Sequence, residues 1–347
     1  MQTTHKIVND NAKHTHQYVD EKSVSLVITS PPYPMIDMWD EIFCLQNDKI
    51  RNAFAQKDFN TAFELMHLTL DDIWESVDRT VQPGGIVCIN IGDATRNCDG
   101  RFKLFSNHTR IINKFLSMGY DVMPDIHWHK PTNAPNKFMG SGMYPPCAYV
   151  TYEHEYILLF RKGENRKFSA KEKHLRHTSS YFWEESNIWF SDLWEIKGTA
   201  QKIKGNALRD RSAAFPFELA YRLINMFSVK DDIVLDPFIG TGTVTLAAIA
   251  SERNSIGFDI DKELCNGIYR TCNSSFDSIN DYINIRIHNH IDFIEAQPPE
   301  KAEKLYQNSN HRFKVKTRQE TEILFSLLSS IDVVNNEIIC KYEKADA

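Results

Sequence analysis

The sequence predicts an α/β protein built on a mixed, mostly parallel β-sheet. Short β-branched runs alternate with longer stretches of helical apolar spacing, and turns rich in Gly or Pro separate them. Of its 347 residues, 42% are hydrophobic and 25% are charged, which is typical of globular proteins and excludes a disordered tail protein. A chain of this length is expected to form about two domains, or one large core with an insertion.

The first half of the chain shows the alternation of strands and helices. Apolar runs predict strands at 24–28, 86–91, 122–128 and 156–160, with helices at 63–81 and 110–118 between them. A turn at Pro83-Gly84-Gly85 is expected to stop the first helix. Pro31 and Pro32 end the first strand abruptly, so Ser30 to Tyr33 are expected to lie in a loop.

The second half begins with a helix near Pro216 and continues as a βαβ unit. Strand 233–235, a tight loop at 240–242, helix 244–250 and strand 255–258 follow one another. From residue 298 onward, apolar residues at helical spacing (323, 324, 327, 328 and 331) predict a helical extension, to which we assign no chemistry.

Composition also limits the compartment and the ligands. No apolar run is long enough for a signal peptide or a membrane span, so we expect a soluble cytoplasmic protein without a membrane partner. The seven cysteines occur singly, without a Cys-x-x-Cys pair, and predict reduced thiols. His127, His129 and His154 have no carboxylate or thiol at ligand spacing, so we expect structural histidines and no metal.

The loop between strand 233–235 and the next helix predicts a nucleoside site. Gly240 and Gly242 let the backbone approach a ligand beneath a helix N-terminus, and Asp259 ends the following strand, where it can accept hydrogen bonds from ribose hydroxyls. Thr245 replaces the third glycine of the dinucleotide fingerprint, and Asp236 suits a ligand with a positive amino group. The alternative is a glycine turn with a purely structural role.

The segment from residue 161 to 176 is basic within an acidic protein. It carries seven Lys or Arg against two Glu, whereas the whole chain has a net charge of −6. Aromatic residues are interleaved with it or follow it, and cations with rings suit a groove for nucleic acid. The alternative is a solvated surface insertion with a small aromatic core of its own.

Two motifs together carry a resemblance to a known family. Ser30-Pro31-Pro32-Tyr33 after a buried strand, with Asp236-Pro237-Phe238-x-Gly240-x-Gly242 downstream, resembles the S-adenosylmethionine-dependent DNA amino-methyltransferases. These enzymes methylate the N4 amine of cytosine or the N6 amine of adenine. The catalytic motif precedes the cofactor motif, as in the circularly permuted β group. The resemblance implies a Rossmann-like class I methyltransferase core, circularly permuted, with a recognition insertion.

The resemblance divides the chain into four segments and assigns roles to single residues. It implies a catalytic half at 1–162, a DNA target-recognition region at 163–212, a cofactor-binding half at 213–297 and the helical extension at 298–347. The catalytic residues would be Ser30, Pro31, Pro32 and Tyr33. The residues binding S-adenosylmethionine would be Phe215, Pro216, Asp236, Pro237, Phe238, Gly240, Thr241, Gly242 and Asp259. The DNA-binding cations would be Lys130, Arg161, Lys162, Arg166, Lys167, Lys171, Lys173 and Arg176.

The first residue of the catalytic motif bears on the substrate. In the resembled family, a serine at this position goes mostly with cytosine N4 and an aspartate mostly with adenine N6, so Ser30 favours cytosine. The alternatives are adenine N6 methylation and an inactive methyltransferase-like protein that binds nucleic acid. Double-stranded DNA is the expected partner, in a restriction-modification system, and a companion endonuclease and a homodimer stay open.

Overall fold

The computed structural model describes residues 1–130, 138–197 and 215–346. Within these ranges no helix combines the length and the apolar character needed to cross a membrane. The described residues build one large sheet with helices on both faces, as the α/β prediction requires.

Ten strands of the described chain form the large sheet. In spatial order they are β6, β4, β5, β3, β2, β7, β8, β1, β10 and β9, and only β5 and β10 run against the other strands. Their bounds are β1 Gln2–Asn9, β2 Val24–Thr29, β3 Val81–Ile91, β4 Asp121–His129, β5 His154–Arg161, β6 Leu193–Glu195, β7 Ile233–Asp236, β8 Asn254–Asp259, β9 Ser326–Val334 and β10 Glu337–Lys344.

Eight of the described helices are the longer ones or take part in the argument below. They are α1 Phe59–Thr80, α2 Asn107–Ser117, α3 Ala170–Thr178, α4 Trp183–Trp189, α5 Phe217–Phe227, α6 Thr243–Ala250, α7 Lys262–Ser274 and α8 Phe276–Glu295. The other described helices span Ala12–His14, Thr15–Tyr18, Asp37–Trp39, Asp40–Gln46, Asp48–Ala55, Pro299–Ala302 and Arg318–Glu320. Small hairpins pair Ala94–Cys98 with Arg101–Phe105, Phe138–Gly140 with Ala148–Val150, and Tyr306–Gln307 with Lys314–Val315.

Alternate residues of β2 divide between the two layers of the core. Leu26 and Ile28 pack with α5, α6 and α8 on one face, whereas Val27 packs with α1 and α2 on the other. All three side chains are buried, which explains why a continuous β-branched run marks this strand in the sequence.

The order of the strands reverses between β2 and β7. From β2 the chain passes through α1 to β3 on one side, and from β7 it passes through α6 to β8 on the other. The carboxyl ends of β2 and β7 are therefore neighbours at a topological switch point, where open α/β sheets bind their ligands.

The predicted helical extension at 298–347 is wrong. Apart from the short helix Pro299–Ala302, the chain there forms mainly β-structure, and β9 and β10 extend the sheet beside β1. Leu327, Leu328 and Ile331 fit a helical spacing, but Ile331 pairs with Cys340 in an antiparallel β-hairpin in which Leu328 and Cys340 are buried. The strand β1 also escaped prediction because its sequence is largely polar.

The described part of the predicted recognition region packs on the protein core through a few aromatic residues. Residues 163–197 contain α3, α4 and β6, and Phe182, Trp189 and Trp194 are buried. The Phe182 ring stacks on His290 of α8 with 3.6 Å between the centroids. These rings therefore belong to the main core on this face of the sheet and do not form a separate aromatic core of an insertion. Residues 198–212, with Lys202, Lys204, Arg209 and Arg211, lie outside the described residues.

Candidate active site

The loop Ser30 to Tyr33 leaves the sheet at the carboxyl end of β2. Ser30 Oγ lies 3.1 Å from Tyr33 Oη, and the Tyr33 hydroxyl donates to Glu155 Oε2 at 2.8 Å. The ring of Tyr33 packs against Gly92, where an added Cβ would lie 3.1 Å from ring carbon Cε2. Burial, together with the Glu155 charge, holds the pKa of Tyr33 well above its ordinary value, so the hydroxyl stays protonated.

Asn90, on β3, connects this loop to β5. Its Nδ2 lies 2.8 Å from Tyr33 Oη, 2.6 Å from Glu155 Oε2 and 3.4 Å from Ser30 Oγ. Lys130 Nζ lies 2.5 Å from the other oxygen of Glu155, and its cation sits 4.4 Å from the Trp128 ring centroid. Of the predicted DNA-binding cations, Lys130 is therefore the one that the structure places at the Ser30 loop.

Asn90 and Glu155 were not predicted as site residues. Asn90 interrupts an otherwise apolar buried strand, and its side chain is 3% exposed. A polar residue at such a position costs free energy unless it is hydrogen-bonded, which is the signal that would have pointed to it. Glu155 meets Asn90 because β5 pairs antiparallel with β3 at this end.

A second buried amide supports the same loop from behind. Asn107 Nδ2 donates to the carbonyl oxygens of Pro34 at 3.1 Å and Gly92 at 3.0 Å. Its Oδ1 accepts from His67 Nε2 at 2.9 Å, and burial lowers the pKa of His67 to about 3, so this imidazole is neutral. These bonds fix the loop after Tyr33 to the loop after β3.

Asp236 lies at the carboxyl end of β7, next to the end of β2. Its Oδ1 accepts from Thr29 Oγ1 at 2.7 Å and from the Phe238 backbone amide at 3.0 Å. Burial raises the pKa of this carboxyl to about 7, with a smaller contribution from Asp259. These described partners are neutral donors, so the carboxylate is buried without a cation among them.

The glycine loop that follows has the backbone that the sequence predicted. Gly240 and Gly242 have φ angles of +51° and +87°, and Gly242 immediately precedes α6. The Gly240 amide donates to Asp259 Oδ2 at 3.2 Å, which connects the loop to the end of β8. Asn9, at the end of β1, donates to the Asp259 carbonyl at 3.0 Å, so the strand missed from the sequence also reaches this site.

The other predicted cofactor residues lie at the same edge of the sheet. Pro237, Phe238 and Thr241 belong to the Asp236 loop, and the Phe238 ring packs on Trp74 with 5.8 Å between centroids. Phe215 and Pro216 are buried just before α5. The end of α5 leads directly into β7, which starts at the amino edge of the sheet. The start of α5, beside Phe215 and Pro216, therefore lies at the carboxyl edge.

The remaining predicted DNA-binding cations do not lie at this site. Arg161 pairs with Ile86 at the opposite end of the sheet, roughly 20 Å along β5 from Glu155. Arg161 binds Asp121 and Lys162 binds Asp78, both through ion pairs at the amino edge.

The basic residues after Lys162 stay at that amino edge. Arg166 binds the buried Asp232, just before β7, at 2.7 Å, and Lys167 lies 3.6 Å from Glu164. Ser179, after α3, accepts from the Lys230 amide before β7, so α3, with Lys171, Lys173 and Arg176, ends there too. The described contacts thus place Arg161, Lys162 and Arg166 at the amino edge, away from the Ser30 loop, and DNA binding by the predicted cations stays a prediction.

The three predicted structural histidines lie on the other face of β4 and β5 from Glu155. The rings of His127 and His154 stack with 5.3 Å between centroids, and His129 Nδ1 lies 3.5 Å from Glu195. Burial lowers the pKa of His154. In the described part of the chain no cluster of His, Cys, Asp or Glu is arranged to hold a metal ion.

Comparison with known families and proteins gives consistent matches. The model of the N6/N4 DNA methylase family matches residues 24–270. The type II methyltransferase M.MthZI of Methanothermobacter thermautotrophicus is 47% identical over all of this chain and 97% of its own length. M.MjaI of Methanocaldococcus jannaschii is 50% identical over 76% of this chain and 89% of its own length.

Solved structures share the fold. A putative DNA modification methylase from Thermus thermophilus, complexed with S-adenosyl-L-methionine, is 29% identical, with a TM-score of 0.60 over 78% of this chain and 95% of the other. The PvuII DNA methyltransferase, described as cytosine-N4-specific, has a TM-score of 0.52 over 77% of this chain and 86% of its own. At 18% identity, the PvuII likeness extends to the fold alone.

Proposed function

The chain belongs to the N6/N4 DNA methylase family, and from this premise we propose that it methylates the N4 amine of cytosine at specific sites in duplex DNA. Membership confirms the predicted S-adenosylmethionine-dependent DNA amino-methyltransferase and its Rossmann-like class I fold. What the proposal adds is the base and the roles of individual residues.

One observation carries the assignment of roles. The hydroxyl of Thr29, the last residue of β2, donates to Asp236 at 2.7 Å across the switch point. The Ser30 loop and the Asp236 loop are therefore adjacent, and a methyl donor held by one loop would lie next to an acceptor held by the other. Proximity of this kind is a large part of the catalysis of a two-substrate transfer.

The residues around Asp236 fit S-adenosylmethionine. A buried carboxylate with neutral described partners and a pKa near 7 suits the positive amino group of a methionine moiety. The amides of the glycine loop precede a helix N-terminus, and Asp259 suits the ribose hydroxyls. When bound, the cofactor supplies a methyl group already activated by its sulfonium, so the chain needs no nucleophile of its own.

The Ser30 loop fits the acceptor. The lone pair of an aromatic amine is delocalised, and hydrogen bonds from the amine to Ser30 Oγ and the Pro31 carbonyl would draw the nitrogen toward a tetrahedral, nucleophilic geometry. The base has to leave the duplex to reach this loop. The Tyr33 ring, fixed through its hydroxyl, would stack on the base, a contact worth about 1–3 kcal/mol.

Ser30 is the observation that favours cytosine over adenine. Serine at this position of the motif goes mostly with cytosine N4 in the family. The relatives M.MthZI and M.MjaI are type II methyltransferases, which further supports a role in a restriction-modification system, with duplex DNA as the partner.

Product analysis tests the proposal. Duplex DNA methylated by the purified protein is hydrolysed to nucleosides, and the methylated nucleoside is identified by mass spectrometry. N4-methylcytosine is the expected product. Detection of N6-methyladenine would show that the substrate base is adenine. The absence of any methylated nucleoside despite cofactor binding would point to an inactive nucleic-acid-binding protein.

A Ser30→Ala variant tests the assigned catalytic loop. Because the Ser30 hydroxyl lies outside the Asp236 loop, this variant is expected to bind S-adenosylmethionine with an affinity close to that of the wild type. Its turnover is expected to fall at least about 100-fold, the usual cost of losing one preorganised polar contact to the reacting group. Turnover near the wild-type rate would contradict the role of Ser30.

A further inference from the structure

We propose that Glu155 is a positioning residue that fixes the direction of the hydrogen bonds around Ser30, so that Ser30 Oγ presents lone pairs to the target amine. This inference rests on the proposed role of Ser30 as acceptor for an exocyclic amine. It does not depend on whether the base is cytosine or adenine.

The direction follows from counting the hydrogens of Tyr33. Its single hydroxyl hydrogen is directed at Glu155 Oε2, 2.8 Å away, because an ionised carboxylate only accepts. At the 3.1 Å contact between Ser30 Oγ and Tyr33 Oη, either oxygen is able to donate by geometry. Since Tyr33 has no second hydrogen, Ser30 is the donor in that contact.

The hydrogens of Asn90 lead to the same arrangement. The Nδ2 group has two hydrogens, and its shorter contacts are with Glu155 at 2.6 Å and Tyr33 at 2.8 Å. The 3.4 Å separation from Ser30 Oγ is left without a hydrogen of its own. Ser30 therefore donates its hydrogen to Tyr33 and keeps its lone pairs for the substrate.

The two carboxylate oxygens of Glu155 bind different partners, because Lys130 contacts only one of them. Its Nζ lies 2.5 Å from Oε1, while Oε2 takes the hydrogens of Tyr33 and Asn90. The Glu155 side chain is only 15% exposed, so water does little to screen these contacts. Every hydrogen around the carboxylate thus points toward it, and the order propagates outward through Tyr33 to Ser30.

Glu155→Gln disturbs the order without changing the shape of the side chain. If the amide nitrogen faces Asn90 and Tyr33, two donors meet and the Tyr33 hydroxyl turns toward Ser30. If the nitrogen faces Lys130 instead, it opposes an ammonium group. Removing the ammonium with Lys130→Met relieves the second orientation, which lets the amide oxygen accept from Tyr33 again.

The experiment measures single-turnover methyl transfer on duplex DNA, with cofactor and DNA affinities measured separately. Glu155→Gln is expected to slow transfer about 100-fold, as for loss of one oriented polar contact, with both affinities within about threefold of wild type. Lys130→Met combined with Glu155→Gln is expected to be at least about tenfold faster than Glu155→Gln alone. Glu164→Gln makes the same chemical change at an exposed carboxylate far from the Ser30 loop and should retain the wild-type rate.

Two outcomes overturn the inference: wild-type transfer by Glu155→Gln, or a double variant no faster than the single one. If Glu155→Gln does not fold, Tyr33→Phe answers the same question. It leaves the Ser30 hydrogen without this acceptor, so transfer should slow by a similar factor, and an unchanged rate refutes the ordered chain. The product of the wild-type protein is identified first, so a failure of the proposed base is recognised separately.

Discussion

Replacing Asp236 by Asn is expected to make the cofactor-free protein more stable while abolishing cofactor binding. The carboxyl is 4% exposed, and its described hydrogen-bond partners are the Thr29 hydroxyl and the Phe238 amide. An amide of the same shape keeps an oxygen for both donors and removes the charge. The cofactor's amino group, in contrast, would lose its proposed counter-ion.

The size of the effect follows from the pKa of Asp236. Folding raises this pKa from 3.8 to about 7, so the folded state binds the proton more tightly than the unfolded state does. The contribution of Asp236 to stability is therefore lost as pH rises from about 4 to 7, and the cost reaches about 4 kcal/mol at pH 8. At pH 5 the same pKa difference lowers the free energy of unfolding by about 2 kcal/mol.

Urea unfolding of both proteins at pH 5 and pH 8 measures the difference, and calorimetric titration with S-adenosylmethionine measures binding. Asp236→Asn should exceed the wild type in free energy of unfolding by up to about 4 kcal/mol at pH 8 and by about half of that at pH 5. Asp99→Asn, at an exposed carboxylate, should change stability by less than about 0.5 kcal/mol. A less stable Asp236→Asn protein at pH 8 would refute the reasoning.

Three further predictions test the site and its surroundings. First, if Asp236 binds the cofactor in its ionised form, as proposed, affinity for S-adenosylmethionine should fall about 30-fold between pH 8 and pH 5.5. Calorimetry at the two pH values measures this change, and a flat profile contradicts the proposed role. Second, Gly242→Ala should weaken cofactor binding and destabilise the fold by about 1–3 kcal/mol, because φ is +87° and the Cβ would lie 2.9 Å from a side-chain carbon of α7. Gly267→Ala, in an open helical position, should not destabilise it. Third, Arg166→Ala should destabilise the fold by about 3 kcal/mol, because it leaves Asp232 buried without its cation. DNA affinity in a gel-shift assay should stay within about twofold of wild type. A large loss of affinity would show that Arg166 contacts DNA.

Much of the fold could be predicted because its signals are local. The strands around Leu26 and Val234 are buried on both faces, so their sequences are continuous apolar runs. Prolines and glycines mark where those strands end, and the two loops at the switch point carry the motifs. The side chains of Ser30 and Asp236 could therefore be assigned to the site before any contact was known.

What could not be predicted depends on pairing between distant segments. Glu155 reaches Tyr33 because β5 lies beside β3, and nothing near Glu155 in the sequence encodes that neighbour. The ion pairs of the basic segment could not be predicted for the same reason. Its acidic partners Asp78, Asp121 and Asp232 are remote in sequence. A count of local charge therefore does not show that some of its cations are already paired with carboxylates of the same chain.

The hydrogen bond from Thr29 to Asp236 has a consequence for how the two substrates bind. A hydroxyl bonds more strongly to an ionised carboxylate than to a neutral one, and a cation beside Asp236 favours the ionised form. Loading the cofactor would thus tighten the backbone directly before Ser30 and favour capture of the base. Such coupling is reciprocal, so duplex DNA should raise the affinity for the cofactor by the same factor by which the cofactor raises the affinity for DNA. On this reasoning, the hydroxyl of Thr29 would couple the proposed cofactor site to the proposed base site.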